Sequence, residues 1–189
     1  NVILDNLNNM RVKKFINFST IWEDFNGIRD NFFNLYAAYK KAFSILINHY
    51  ERKNKKIKIY RLMISDTFGL NDKRKKIINI LNKNYKRNIS TKITSKNLSI
   101  NLLNVIDIVQ AVDLLCKKNI KPGKYLIKNN KNVKLKELID KFNYKNNKKI
   151  KIIWLSNKII KEKIYPYSQL KNWKPLKSNI VDIINNIKI

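Results

Sequence analysis

Cysteine is almost missing from this sequence: Cys116 is the only one among 189 residues. That excludes an internal disulfide and a cysteine-cluster metal site, and it fits a reducing compartment. Histidine is as scarce, with His49 alone among apolar helix positions, where packing is expected rather than metal or triad chemistry. Glycine occurs three times, at Gly27, Gly69 and Gly123, too far apart to make a glycine-rich phosphate cradle. No apolar run approaches membrane-spanning length, and the first residues do not make a signal peptide. A soluble, cytoplasmic chain is expected. Acidic residues are also few, 13 against 41 Lys and Arg, for a formal net charge of +28.

What is present is ordinary for a folded chain. An apolar content of 44% argues against wholesale disorder, and the length suits one domain or one and a fraction. The charge invites a nucleic-acid or anionic-surface partner. Lysines are nevertheless dispersed rather than gathered, and runs such as Lys53–Lys58 and Lys145–Lys151 fall between apolar segments, where solvated turns belong. Lys, Asn and Ile are over-used throughout, as compositional drift in an AT-rich genome produces. Drift is the favoured explanation, and dedicated nucleic-acid binding is not.

Periodicity divides the chain into alternating elements. Residues 2–11 read as an amphipathic helix, Phe15–Phe18 as a strand ending at Ser19-Thr20, and residues 21–34 as an irregular loop. Ala38, Tyr39, Ala42, Ile45, Leu46 and His49 mark a long helix from Tyr36 to about Arg52, followed by a strand at Ile57–Ile64. Helices are expected at Lys76–Tyr85, Val105–Cys116, Val133–Phe142 and Asn179–Ile187. Extended segments are expected at Ser99–Leu103, Lys124–Ile127 and Ile150–Leu155. Strands alternating with helices predict an α/β fold with a mostly parallel sheet. The chain opens on Asn1 in mid-pattern of an apolar helix, so a fragment is expected.

Tyr36 and Lys40 lie four residues apart, one turn along a helix face. The spacing has a chemical use. A free phenol ionises near ~10, too high for proton exchange at neutral pH, and a neighbouring cation favours the phenolate. Such a pair makes a competent acid/base, and a hydroxyl from Ser19 or Thr20 at the preceding strand end can hold a substrate oxygen beside it. Tyr-x-x-x-Lys alone is a weak signal in a chain with nine tyrosines and so many lysines.

Order strengthens it. Phe15-Ile16-Asn17 with Ser19-Thr20 and Trp22 precedes Asn34-Leu35-Tyr36-Ala37-Ala38 with Lys40. Then come Ser65-Asp66-Thr67-Phe68-Gly69 with Asn71-Asp72 and Arg74, and Asn104-Val105-Ile106-Asp107-Ile108-Val109-Gln110-Ala111. Leu170 with Asn172-Trp173-Lys174-Pro175 closes the series. In this order the segments resemble the extended short-chain dehydrogenases/reductases, the NAD-dependent epimerase/dehydratase family. The nearest branch is the nucleotide-sugar 4-ketoreductases similar to CDP-abequose synthase, and the likeness covers the carboxy-terminal portion of such enzymes.

The resemblance implies the second half of a Rossmann-type parallel sheet plus a small carboxy-terminal substrate-binding region. Residues 1–125 would form the partial Rossmann-type domain, interleaved with substrate-region segments, and 126–189 mainly the substrate-binding region. It further implies NAD or NADP as cofactor, a nucleotide-sugar substrate and hydride transfer. Tyr36 would be the acid/base, Lys40 would hold the cofactor ribose, and Thr20 or Ser19 would bond the sugar oxygen. Arg74 would meet a diphosphate, with Asn71 beside it in the substrate-binding segment. Trp154, Tyr165 and Trp173 would be packing aromatics in the substrate-covering region.

Two departures accompany the likeness. The family's dinucleotide-binding glycine motif is not in this chain, and residues 2–11 already resemble the helix before the catalytic strand. This chain alone should therefore bind the dinucleotide poorly, act as a fragment or split subunit, and need a missing amino-terminal half or a second copy. A parallel sheet cut midway predicts aggregation or loose folding in isolation. In addition, a threonine often lies four residues before the tryptophan matched to Trp22, and here that position is Phe18. A non-catalytic, decayed relative and a basic binding module for nucleic acid or an acidic surface therefore remain as alternatives.

Overall fold

The computed structural model describes residues 2–7 and 10–188. In chain order the elements are α1 (Val2–Asn6), β1 (Lys14–Thr20), α2 (Leu35–Lys53), β2 (Lys58–Ile64), β3 (Asp66–Phe68), α3 (Ile77–Arg87), β4 (Thr91–Ile93) and β5 (Asn97–Ile100). They continue with β6 (Leu102–Asn104), α4 (Val105–Lys117), β7 (Gly123–Ile127), β8 (Val133–Lys134), α5 (Leu135–Lys145), β9 (Ile152–Trp154), β10 (Ile159–Lys161) and α6 (Ile180–Lys188). The fold is α/β with mostly parallel pairing, as the alternation of apolar segments predicts.

Two compact units share the chain. The first comprises Asn1–Ser65, Gln110–Ile127 and Lys163–Trp173, the second Asp66–Val109, Lys128–Glu162 and Lys174–Ile189.

The first unit is built on a parallel sheet in the order β1-β2-β7. Strand alternation puts Phe15, Asn17 and Ser19 on one face with their register partners Ile59, Arg61 and Met63. One end of that face is apolar, where Leu4, Leu7, Ile47, Ile57 and Ile59 form a buried cluster with Phe15 and Phe43 against it. The other end holds Ile21, Met63 and Leu126. Between them runs a polar row, Asn17–Arg61–Lys124, read directly from the register. Arg61 in that row bonds Asn48 and pairs with Glu51 of α2 at 2.9 Å.

The second unit has a larger core. Phe68, Leu81, Leu102, Leu138, Phe142 and Ile183 are sealed from solvent within it, drawn from β3, α3, β6, α5 and α6. Its strands are short and paired as β3-β6, β4-β9 and β10-β5-β8, with only β5–β8 antiparallel.

Several local expectations need correction. The helix expected over 2–11 is observed at Val2–Asn6, residues 8 and 9 lie outside the described residues, and Arg11 has a left-handed φ of 53° that helix cannot continue through. Residues 21–34 are not wholly irregular, since Ile21–Gly27 forms a 3-10 segment broken by a kink at Asp24, Phe25 and Asn26. The long helix is present, but its buried positions are Ala37, Ser44 and Ile47. Tyr39, Ile45, Leu46 and His49 face outward instead, so His49 is not a packing residue.

Candidate active site

The carboxy-terminal end of β1 alternates in the usual strand manner: Asn17 and Ser19 are buried, and Phe18 between them is 46% exposed. Both hydroxyls that the sequence offers here are already engaged. Ser19 donates to the carboxylate of Glu23, which also accepts from Ser44 of α2 at 3.1 Å. Thr20 accepts the backbone N–H of Trp22 at 3.2 Å and caps the 3-10 segment.

Helix α2 starts cleanly because Asn34 caps it, its side chain accepting the N–H of Ala37 at 3.0 Å. Tyr36 therefore sits in the first turn, 52% exposed, and Lys40 follows one turn later. The Lys40 ammonium lies 5.8 Å from the Tyr36 ring centroid, within cation–π range. It also donates to the backbone carbonyl of Phe18 at 2.9 Å, which ties the helix to the strand end. Tyr36, Lys40 and Phe18 are thus brought together, whereas no hydrogen bond joins Ser19 or Thr20 to Tyr36 among the described residues.

Glu23 and Asp24 are adjacent carboxylates in the segment that follows β1. Both are buried, each with its own partners. Asp24 accepts the Tyr167 hydroxyl and the backbone N–H of Asp30 (2.6 Å), and pairs with Lys41 at 3.3 Å. Lys41 also pairs with Asp30 at 2.5 Å. Burial alone would raise the Asp24 carboxyl, but the Tyr167 hydrogen bond, the Asp30 N–H and Lys41 together hold it below the usual carboxylate value. Burial works against the Lys41 ammonium, yet its two carboxylates push it above the ordinary lysine value. Burial and the Asp24 charge drive the Tyr167 phenol well up. This cluster clamps the loop after β1; the pattern of residues gave no sign of Tyr167 or Lys41, which are 143 and 17 positions from Asp24.

In the second unit, Asn71 has a left-handed φ of 59° and forms an exposed turn. Arg74 folds back on Asp72, with Nε–Oδ1 at 2.8 Å and Nη2–Oδ2 at 2.7 Å, and donates to Thr67 at 2.9 Å. Asp66 accepts the N–H of Thr67 and pairs with Lys76 at 2.6 Å. Trp154 packs partly buried on the core of this unit, and in the first unit the Tyr165 ring meets Tyr167 at a tilt of 51°, centroids 4.9 Å apart. Among the described residues no group of three or more His, Cys, Asp or Glu side chains is placed to hold a metal ion. No helix among them is long and apolar enough to cross a membrane.

No protein-family model matches the sequence, and no curated protein sequence matches it either. Solved structures do. UDP-glucose 4-epimerase from Thermotoga maritima, solved with UDP-glucose, superposes with a TM-score of 0.78 at 17% identity, covering 99% of this chain and 66% of that one. dTDP-glucose 4,6-dehydratase from Bacillus anthracis, in complex with NAD, gives 0.74 at 16% identity over 97% of this chain and 64% of its own. UDP-glucuronic acid 4-epimerase from Bacillus cereus, with UDP-glucuronic acid and NAD, gives 0.75 at 16% over 98% and 65%. The chain thus spans about two thirds of the length of these structures. At these identities it is the fold that is shared: this chain is built as about two thirds of an NAD-dependent nucleotide-sugar epimerase or dehydratase is built.

Proposed function

We propose that this chain supplies the acid/base pair and substrate-covering region of an NAD(P)-dependent nucleotide-sugar epimerase, dehydratase or ketoreductase, with Tyr36 as the proton-transfer group. The observation that carries this reading is the placement of Lys40 5.8 Å from an exposed Tyr36 ring at the carboxy-terminal end of a parallel strand. In open α/β sheets that end is where ligands bind.

The residues fit one end of a dinucleotide and not the other. Tyr36 and Lys40 are exposed enough to meet a nicotinamide ribose. None of the three glycines opens a helix after a strand: Gly27 ends the 3-10 segment, Gly69 abuts Val105, and Gly123 begins β7. None of the three therefore gives the pyrophosphate of a dinucleotide the glycine-rich turn and helix amino-terminus that would cradle it. When bound, the nicotinamide supplies hydride exchange with the sugar carbon. The chain's own part is to hold and move the proton. The Tyr36 hydroxyl delivers it to, or takes it from, the sugar oxygen, and the Lys40 charge faces the phenolate left behind.

In this reading Arg74 contributes little to a diphosphate unless it leaves Asp72, which holds it by two bonds. The likeness to the ketoreductase branch similar to CDP-abequose synthase rests on the sequence segments alone. The partner would be a chain or segment carrying the glycine motif, or a second copy.

A second reading, a non-catalytic relative, is favoured by one observation. Phe18 stands where the resemblance expects a threonine, while Ser19 donates to Glu23 and Thr20 accepts the N–H of Trp22. Turnover of nucleotide sugars by the longest in-frame product containing this chain separates the two. Loss of that turnover in Tyr36→Phe supports the first, and its complete absence in the parent supports the second.

A further inference from the structure

A second feature belongs to the second unit and does not depend on how the Tyr36 site is read. In the sheet β10-β5-β8, Lys161 pairs with Ser99 and Ser99 pairs with Lys134. Register partners share a face, so two ammonium-bearing side chains flank one hydroxyl in a single row across three strands. At ordinary strand spacing the two lysine backbones stand roughly 9.5 Å apart. Their long side chains can converge over Ser99.

That row floors a cleft of about 650 Å³ walled by the first turns of α5. The volume is that of a small-molecule site. Five lysines line it against two carboxylates, Glu137 and Asp140. Both carboxylates are held by their own helix, Glu137 by Lys141 at 2.9 Å and Asp140 by Lys136. Lys96, Lys134 and Lys161 have no carboxylate within ion-pair distance among the described residues, although the Lys134 charge also acts on Glu137, so five ammonium groups facing two carboxylates leave the cleft net positive. Two like charges in one cross-strand row repel, and a shared anion turns that repulsion into attraction. Beside the row, in register with Asn97, Ile159 stands 86% exposed and offers an apolar wall.

We propose that this cleft binds a phosphate-bearing small molecule, its oxyanion held between Lys134 and Lys161 over the Ser99 hydroxyl and its organic part against Ile159. A bounded cleft suits a compact ligand; a nucleic-acid strand needs a continuous basic track.

Calorimetric titration of the full chain with inorganic pyrophosphate and with phenyl phosphate tests this. Replacing both cleft lysines (Lys134→Gln with Lys161→Gln) should weaken both probes at least about tenfold. Replacing two exposed lysines outside the cleft (Lys92→Gln with Lys171→Gln) removes the same charge and should change affinity less than about twofold. Ser99→Ala keeps every charge and should weaken pyrophosphate by about three- to tenfold, which decides the matter if the double variant fails to fold. Ile159→Ser should weaken phenyl phosphate alone. Absence of binding in the parent overturns the proposal. Equal losses in the cleft and control pairs overturn it too, as does an oligonucleotide that binds more tightly than pyrophosphate and ignores the cleft substitutions.

Discussion

The Lys40 ammonium donates to the main-chain carbonyl of Phe18 at 2.9 Å, so the cation beside Tyr36 is fixed by backbone and not by a side chain. Whatever residue occupies position 18 leaves that bond intact. Phe18→Ser should therefore keep Lys40 in place and put a hydroxyl on the exposed side of β1, where the resemblance expects a substrate-binding threonine. If the site turns over a nucleotide sugar, that variant should do so faster than the parent by about tenfold or more, the usual scale for one added hydrogen bond to a reacting oxygen. Steady-state turnover of the two proteins checks it; an unchanged or lower rate in a folded variant counts against the assignment of position 18.

The Asp24–Lys41–Tyr167 clamp should govern stability at both ends of the pH scale. Asp24 is depressed below its ordinary 3.8, so its contribution is present above that value and is lost as pH falls through the lower folded one. Lys41 and Tyr167 are raised from 10.5 and 10.0, so theirs is complete below those values and is lost only as pH rises beyond them. A plateau between about pH 4 and 10 is expected from this cluster. Tyr167→Phe should lower stability by about 1–3 kcal/mol on that plateau and shift the acid limb to higher pH. Denaturant melts at several pH values read both effects.

Asp107 is buried and accepts the backbone N–H groups of Leu176 and Lys177 at 2.8 and 3.0 Å, together with the hydroxyl of Ser178. Ser178 in turn accepts the N–H of Asn104 at 2.8 Å. Asp107→Ala leaves these donors unsatisfied and should cost about 3–5 kcal/mol. Asp107→Asn, which retains one acceptor, should cost less. Chemical unfolding of the two variants should rank them in that order.

Gly69 has room for no side chain. A Cβ there would lie 2.5 Å from Cγ2 of Val105, the first residue of α4 and a β-branched side chain with little rotamer freedom. Gly69→Ala should destabilise by about 1–3 kcal/mol, and Val105→Ala in the same chain should recover part of the loss. A double-mutant cycle measures the recovery.

Long apolar segments were the legible part of this sequence. β1, α2, β2, α4 and β7 all fall within a few residues of where periodicity puts them, because each is long enough to show its period. β3, β4 and β10 have three residues each, too few to display alternation, and they emerge only through pairing with β6, β9 and β5. α2 shows the limit of the pattern. Its apolar residues foretold a helix, but Ala37, Ser44 and Ile47 are what it buries, with Ile45 and Leu46 left outside. At the candidate site, Tyr36 and Lys40 were readable because helix geometry alone brings residues four apart together. The shared use of Glu23 by Ser19 and Ser44 was not, since the Ser44 bond depends on α2 lying over β1. Neither was Tyr167, which reaches Asp24 from a distant part of the chain.

The central claim, that Tyr36 moves the proton with Lys40 beside it, is tested most directly by turnover of nucleotide sugars with NAD(P). The longest in-frame product containing this chain should be compared with Tyr36→Phe and Lys40→Ala, with dinucleotide affinity measured in parallel. Tyr36→Phe is expected to lower turnover by about 100- to 10,000-fold while changing dinucleotide affinity little, and Lys40→Ala to reduce both. Turnover that survives Tyr36→Phe undiminished would contradict the account.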